Sequence, residues 1–141
     1  MNLQYVCASS EDIPVIFSLA KELIDTYEDV TAIDYEKVLR WVKRKIETEI
    51  SGYSCVLIDG SKCAYFRLCG DGELDDLYVF PEFRGRGIGS RILAKCIEES
   101  RSKLYLYVFS RNIRAISFYE KYGFSMREAI GNTRLIMERK G

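Results

Sequence analysis

The 141-residue sequence predicts an α/β fold: a mixed, mostly antiparallel, twisted sheet flanked by helices, forming one domain over residues 1–141. Three observations carry this. Runs of β-type residues alternate with stripes of helical spacing, and turn residues join neighbouring runs as hairpins. A strand, loop, helix and strand in the middle of the chain call for a parallel crossover. No linker, repeat or low-complexity tract divides the sequence.

The elements follow in order. Leu3 to Ala8 reads as a first strand, and Ser9 or Ser10 then offers an N-cap, with Asp12 and Pro14 in the first helical turn. Ile13, Ile16, Phe17, Ala20, Leu23, Ile24 and Tyr27 form that helix's apolar stripe. A second helix, about Tyr35 to Ile50, buries Val38, Leu39, Val42 and Ile46; its Lys37, Arg40, Lys43, Arg44 and Lys45 read as a solvated face. Tyr53 to Ile58 and Cys63 to Cys69 pair through Asp59-Gly60-Ser61-Lys62. Asp71-Gly72 turns the chain into Glu73 to Phe80, which Pro81 ends because it lacks a ladder donor. Ile88 to about Arg101 is a helix, Leu104 to Phe109 a strand, and Asn112 to Tyr122 a helix stopped by Gly123. Phe124 to Ile130 and Thr133 to Glu138 close as a hairpin through Gly131-Asn132.

Composition narrows the function. Twenty-one basic and twenty-one acidic residues cancel, so neither nucleic acid nor an anionic membrane is an expected partner. No apolar run reaches the roughly 20 residues a bilayer needs, and the opening residues resemble no signal peptide; a cytoplasmic protein is expected. Five dispersed cysteines without a C-x-x-C pair read as reduced, mostly buried thiols, and no metal site is expected. The chain has no histidine, which excludes Ser-His-Asp and Cys-His chemistry; a general base must be a carboxylate, tyrosine, cysteine, lysine or water chain.

The densest motif is Arg84-Gly85-Arg86-Gly87-Ile88-Gly89-Ser90, between a strand and a helix. Glycines let a backbone approach a ligand closely, and the free amides of a helix's first turn suit a pyrophosphate. Arg84, Arg86 and Arg91 add positive charge. No lysine follows the glycines as a Walker A loop requires, and Ser90 replaces the last glycine of a dinucleotide fingerprint.

Arg84-x-x-Gly87-x-Gly89 resembles the Q/R-x-x-G-x-G/A loop with which GNAT acyltransferases hold the pyrophosphate of coenzyme A. Leu77-Tyr78-Val79-Phe80-Pro81-Glu82-Phe83 looks like that family's fourth strand entering the loop. Asn112-x-x-Ala115-x-x-Phe118-Tyr119-x-x-x-Gly123-Phe124 is similar to the segment that joins its fifth and sixth strands. The resemblance implies the acyl-CoA N-acyltransferase fold, with splayed central strands, and transfer of an acetyl group from acetyl-CoA to an amine in a ternary complex.

It also implies roles. Leu77, Tyr78 and Val79 would meet the pantetheine arm through backbone groups, and Gly85, Arg86, Gly87, Ile88, Gly89 and Ser90 would cradle the pyrophosphate with Arg84. Asn112 would reach the arm from the other side of the gap, and its alternative role is to cap its helix. Tyr119 would protonate the departing thiolate. Glu73 falls where some members carry their base; Asp75 shares its face on a regular strand, and a bulge would bring in Asp76 instead. Attack through water is the alternative, and Tyr107 stands where other members place a glutamate. The acceptor is a small molecule or a peptide. Acid at Glu73, Asp75, Asp76, Asp25, Glu28 and Asp29 suits either a cationic acceptor or ordinary solvated loops. A non-catalytic CoA-binding module and a nucleotide-binding regulatory domain are the rival readings, and both monomer and homodimer stay open.

Overall fold

Among the described residues of the computed structural model, 2–100 and 103–140, seven strands and four α-helices follow one another. They are β1 (Leu3–Cys7), α1 (Ile13–Tyr27), α2 (Tyr35–Glu49), β2 (Ser54–Ile58), β3 (Ser61–Leu68) and β4 (Leu74–Val79). Then come α3 (Ile88–Glu99), β5 (Leu104–Phe109), α4 (Ile113–Lys121), β6 (Ser125–Ile130) and β7 (Arg134–Arg139). Arg101, where the sequence pattern ends the third helix, lies outside the described residues. Other boundaries move by a residue or two; β3, for instance, begins at Ser61, two residues before the expected Cys63, because Ser61 and Lys62 pair with Ile58 and Leu57. Tyr53, for example, belongs to a 3-10 turn and donates its N–H to Ile50 O at 3.1 Å.

The strands form two antiparallel sheets, β1-β2-β3-β4 and β5-β7-β6. The terminal hairpin places β7 beside β5, leaving β6 at the edge. Between the sheets, among the described residues, one isolated parallel bridge joins Glu73 to Tyr105, and Tyr105 N–H donates to Gly72 O at 3.0 Å. Gly72 makes this approach possible. Its φ is +96°, and a Cβ there would stand 2.5 Å from the Lys103 carbonyl oxygen. Beyond the bridge β4 and β5 part company, so the single expected sheet is split by the splay, with α3 as the crossover.

Two cores result. On one face Ile88, Ile92, Leu93 and Cys96 of α3 pack on β3 and β5, each large side chain contributing about 1.5–3 kcal/mol by burial. On the other, Ile16 and Ala20 of α1 and Ile46 of α2 pack against Tyr53, Cys55 and Tyr65. Asp12, only 3% exposed, ties α1 to the sheet: it accepts from Ser9 N–H at 2.8 Å, Tyr65 Oη at 2.5 Å and Lys62 Nζ at 2.8 Å. Val38, Leu39 and Val42, expected to be buried, are only half-buried, and Val38 and Val42 border an open cleft. All five cysteines are free; Cys55, Cys63 and Cys96 are buried, Cys69 half-buried and Cys7 exposed. No helix of the described residues is long and apolar enough to cross a membrane.

Candidate active site

The site grows from the divergence of β4 and β5. Phe80 N–H donates to Cys63 O at 2.9 Å, which makes that pair a hydrogen-bonded one in the antiparallel ladder. Pairs alternate, so Ala64 opposite Val79 and Phe66 opposite Leu77 are the non-bonded ones. The N–H groups of Leu77 and Val79 therefore face the gap, where no strand among the described residues pairs with them. Val79 O accepts from Arg84 Nε at 3.2 Å, which fastens the loop to the strand end.

A β-bulge lies farther back. Arg67 pairs with Asp76 but Leu68 with Leu74, leaving Asp75 as the extra residue. The bulge sends Asp75 and Asp76 into one polar cluster. Asp75 bonds Arg67 and lies 2.9 Å from Lys45 Nζ; Asp76 accepts from the Tyr53 hydroxyl and from Tyr78 Oη at 2.9 Å, with Lys45 Nζ at 3.6 Å. Burial, despite Lys45, holds the Asp76 carboxyl above the usual range. Glu73 is half-buried beside this cluster; burial, then Asp75 and Asp71, push its carboxyl up as well.

The glycine loop opens α3. Gly85 and Gly87 adopt φ of +80° and +78°, and open space lies where their Cβ atoms would stand. Gly87 is the N-cap, so the amides of Ile88, Gly89 and Ser90 begin the helix without intrahelical partners. Gly89 sits 3.5 Å, measured from an ideal Cβ, from the Phe118 ring, which brings α3 against α4. Across the gap Asn112 caps α4 by accepting from Ala115 N–H at 3.1 Å. Tyr119 packs edge-on against Phe118 and Phe124, with no hydrogen-bond partner for its hydroxyl among the described residues. Burial, then Cys96 and Asp76, raise its pKa, so the phenol stays protonated.

These pieces line one continuous cleft of about 1120 Å³. Glu73, Leu77, Tyr78, Val79, Asn112 and Tyr119 border it, as do the loop residues Arg84, Gly85, Gly87, Ile88, Gly89 and Ser90. Arg86 does not: its guanidinium lies over the Phe83 ring at 5.4 Å. Lys45 corrects the expectation of a solvated face, since it turns inward to Asp75 and Asp76. The signal was present, because Lys45 lies seven residues after Val38 and three after Val42. Arg67 and Trp41 also line the cleft; neither carried a sequence signal.

The family described as "Acetyltransferase (GNAT) family" matches residues 11–124. An uncharacterized N-acetyltransferase of Methanocaldococcus jannaschii is 37% identical over 62 residues, 41% of this chain and 27% of that protein. One from Archaeoglobus fulgidus is 33% identical over 92 residues, 62% of this chain and 61% of that protein. The matched part thus spans under two thirds of either relative. In fold, the chain is similar to the PaiA N-acetyltransferase of Thermoplasma acidophilum in complex with coenzyme A, with a TM-score of 0.71, 23% identity and complete coverage of both chains. With the family match running through the cleft's glycine loop and α4, this chain belongs to the GNAT acetyltransferase family.

Proposed function

We propose that this protein is an N-acetyltransferase that moves the acetyl group of acetyl-CoA directly to a primary amine. The observation that carries the reading is the unpaired inner edge of β4, which faces a gap closed at one end by Gly72 and opened at the other beside the glycine loop. An extended pantetheine arm is strand-like and would pair with the Leu77 and Val79 amides, as an added strand does. Its pyrophosphate would rest on the amides that start α3, with Arg84 beside them. That a protein of the same fold was solved in complex with coenzyme A supports coenzyme A as the ligand class.

In this reading the amine nitrogen attacks the thioester carbonyl carbon, and the Val79 N–H stabilises the oxyanion that forms. The carbon–sulfur bond then breaks. The electron pair leaves on sulfur, which takes the Tyr119 phenol proton, and Glu73 receives the proton lost by nitrogen. Glu73 is preferred to Asp76 because Asp76 is engaged by two phenols and Lys45. A covalent acyl-cysteine intermediate is disfavoured: burial, then Glu99, push the Cys96 thiol up to about 12. The test is acetyl-CoA consumption with an amine panel, with products identified by mass. Acetylated amine supports the proposal; bound acetyl-CoA without transfer to any amine rejects it for the CoA-binding module.

A further inference from the structure

The cleft is larger than the roughly 300–1000 Å³ of an ordinary single-ligand pocket, and its walls differ from end to end. One end is the glycine loop. The other is formed by α1 and α2, whose facing ridges are apolar. Leu19, Leu23 and Tyr27 recur every four residues along α1, and Val38, Trp41 and Val42 line the α2 side. None of the six is fully buried. Trp41 is 64% exposed and has no ring contact, ion pair or hydrogen bond among the described residues. An indole left bare inside a cleft is unmet apolar surface, and a ligand covering it would remove that surface from water.

Much of the charge at this end is paired. Asp75 and Asp76 face Lys45 and Arg67, and Glu49 lies 3.5 Å from Arg67. Glu22 and Glu28 also line the cleft, but so do Arg114 and Arg134. Outside the cleft wall, Asp25 is paired with Lys21 at 2.7 Å and Asp29 accepts from Thr31. Of the acids that suit a polycationic acceptor, Asp75, Asp76, Asp25 and Asp29 are thus held by partners within the protein, which weakens the field that would draw one in.

We infer that the acceptor is a small primary amine carried on an aromatic or branched apolar body, which lies between the α1 and α2 ridges against Trp41 while its nitrogen points toward Glu73. This rests on the proposed acetyl transfer. The amine's short arm spans from the apolar ridges to the acid cluster, and Trp41 is a specificity-determining residue rather than a catalytic one.

The experiment measures initial rates at saturating acetyl-CoA with 2-phenylethylamine, tryptamine, isoamylamine, spermidine, glucosamine 6-phosphate and a short peptide, using wild type and Trp41→Ala. The apolar amines are expected to give the highest kcat/KM. Trp41→Ala should raise their KM about tenfold while leaving the KM for acetyl-CoA unchanged. Trp41 is exposed, so its loss does not threaten folding. Faster turnover of spermidine, the sugar phosphate or the peptide overturns the inference but leaves acetyl transfer standing, as does an unchanged KM in Trp41→Ala. Acetyl-CoA consumption no faster with any amine than without one overturns both.

Discussion

Gly72→Ala tests the vertex from which the cleft opens. Glycine is needed there twice over: φ is +96°, and the added methyl would stand 2.5 Å from the Lys103 carbonyl oxygen. That oxygen is backbone, held by the start of β5, so it cannot swing aside as a flexible side chain would. The left-handed conformation costs about 1–2 kcal/mol for a residue with a Cβ. Relieving the overlap costs roughly 1–3 kcal/mol more. If β4 and β5 separate to do so, the 3.0 Å bond from Tyr105 N–H to Gly72 O is lost, a further ~1 kcal/mol. With all three contributions the expected destabilisation is about 3–6 kcal/mol, a large part of the roughly 5–15 kcal/mol available to a domain. Urea denaturation followed by circular dichroism measures it, with the slope of the transition compared to confirm two-state unfolding. Stability within about 0.5 kcal/mol of wild type would refute the argument that close approach at Gly72 sets the divergence.

Four further outcomes are expected. Tyr119→Phe should lower kcat by about 10–10⁴-fold with acetyl-CoA affinity nearly unchanged, because the phenol acts only as charge grows on sulfur; single-turnover and binding measurements separate the two. Glu73 has a raised pKa from burial and neighbouring acids, so wild-type activity should fall as pH drops through that value, and Glu73→Gln should be slow throughout with its decline no longer following that ionisation; a pH–rate profile decides. Asp12→Asn should destabilise by about 2 kcal/mol at pH 7, through loss of charge-assisted bonds. Burial pushes Asp12 up, but Lys62, Tyr65 and the Ser9 amide more than offset it, so the stabilisation is complete above the ordinary carboxylate value of 3.8 and disappears as pH falls through the lower folded value; thermal melts across acidic pH show the difference between variant and wild type closing. Arg84→Glu combined with Gly87→Val should abolish thermal stabilisation by acetyl-CoA, and Arg84→Glu alone, which leaves the +78° glycine intact, should already weaken it.

Much of this was legible in the sequence because it is local. The glycine run between strand and helix, the asparagine opening α4 and the turn residues of each hairpin depend on near neighbours, and periodicity named the α1 stripe. Long-range consequences were harder to see. The bulge at Asp75 was one of two readings of β4, and only pairing with Arg67 and Leu68 decides between them. A lysine on a charged helix face reads as solvated, although its spacing puts Lys45 on the inner stripe; its burial depends on Asp75 and Asp76, about thirty residues away. The half-burial of Val38 and Val42 reflects a cavity, and cavities have no sequence period. Arg86 shared a motif with cleft residues, yet the turn of the loop aims it at Phe83 instead.

The central claim is that the open edge of β4 holds the pantetheine arm of acetyl-CoA. Amide hydrogen exchange, resolved by residue with and without saturating CoA, tests it most directly. Leu77 and Val79 face the gap and should exchange quickly in the free protein, whereas Tyr78 is paired with Tyr65 and should be slow. With CoA bound, exchange at Leu77 or Val79 should slow by at least about tenfold while Tyr78 changes little. CoA that binds, as judged by calorimetry on the same sample, yet leaves both Leu77 and Val79 unprotected would contradict the account.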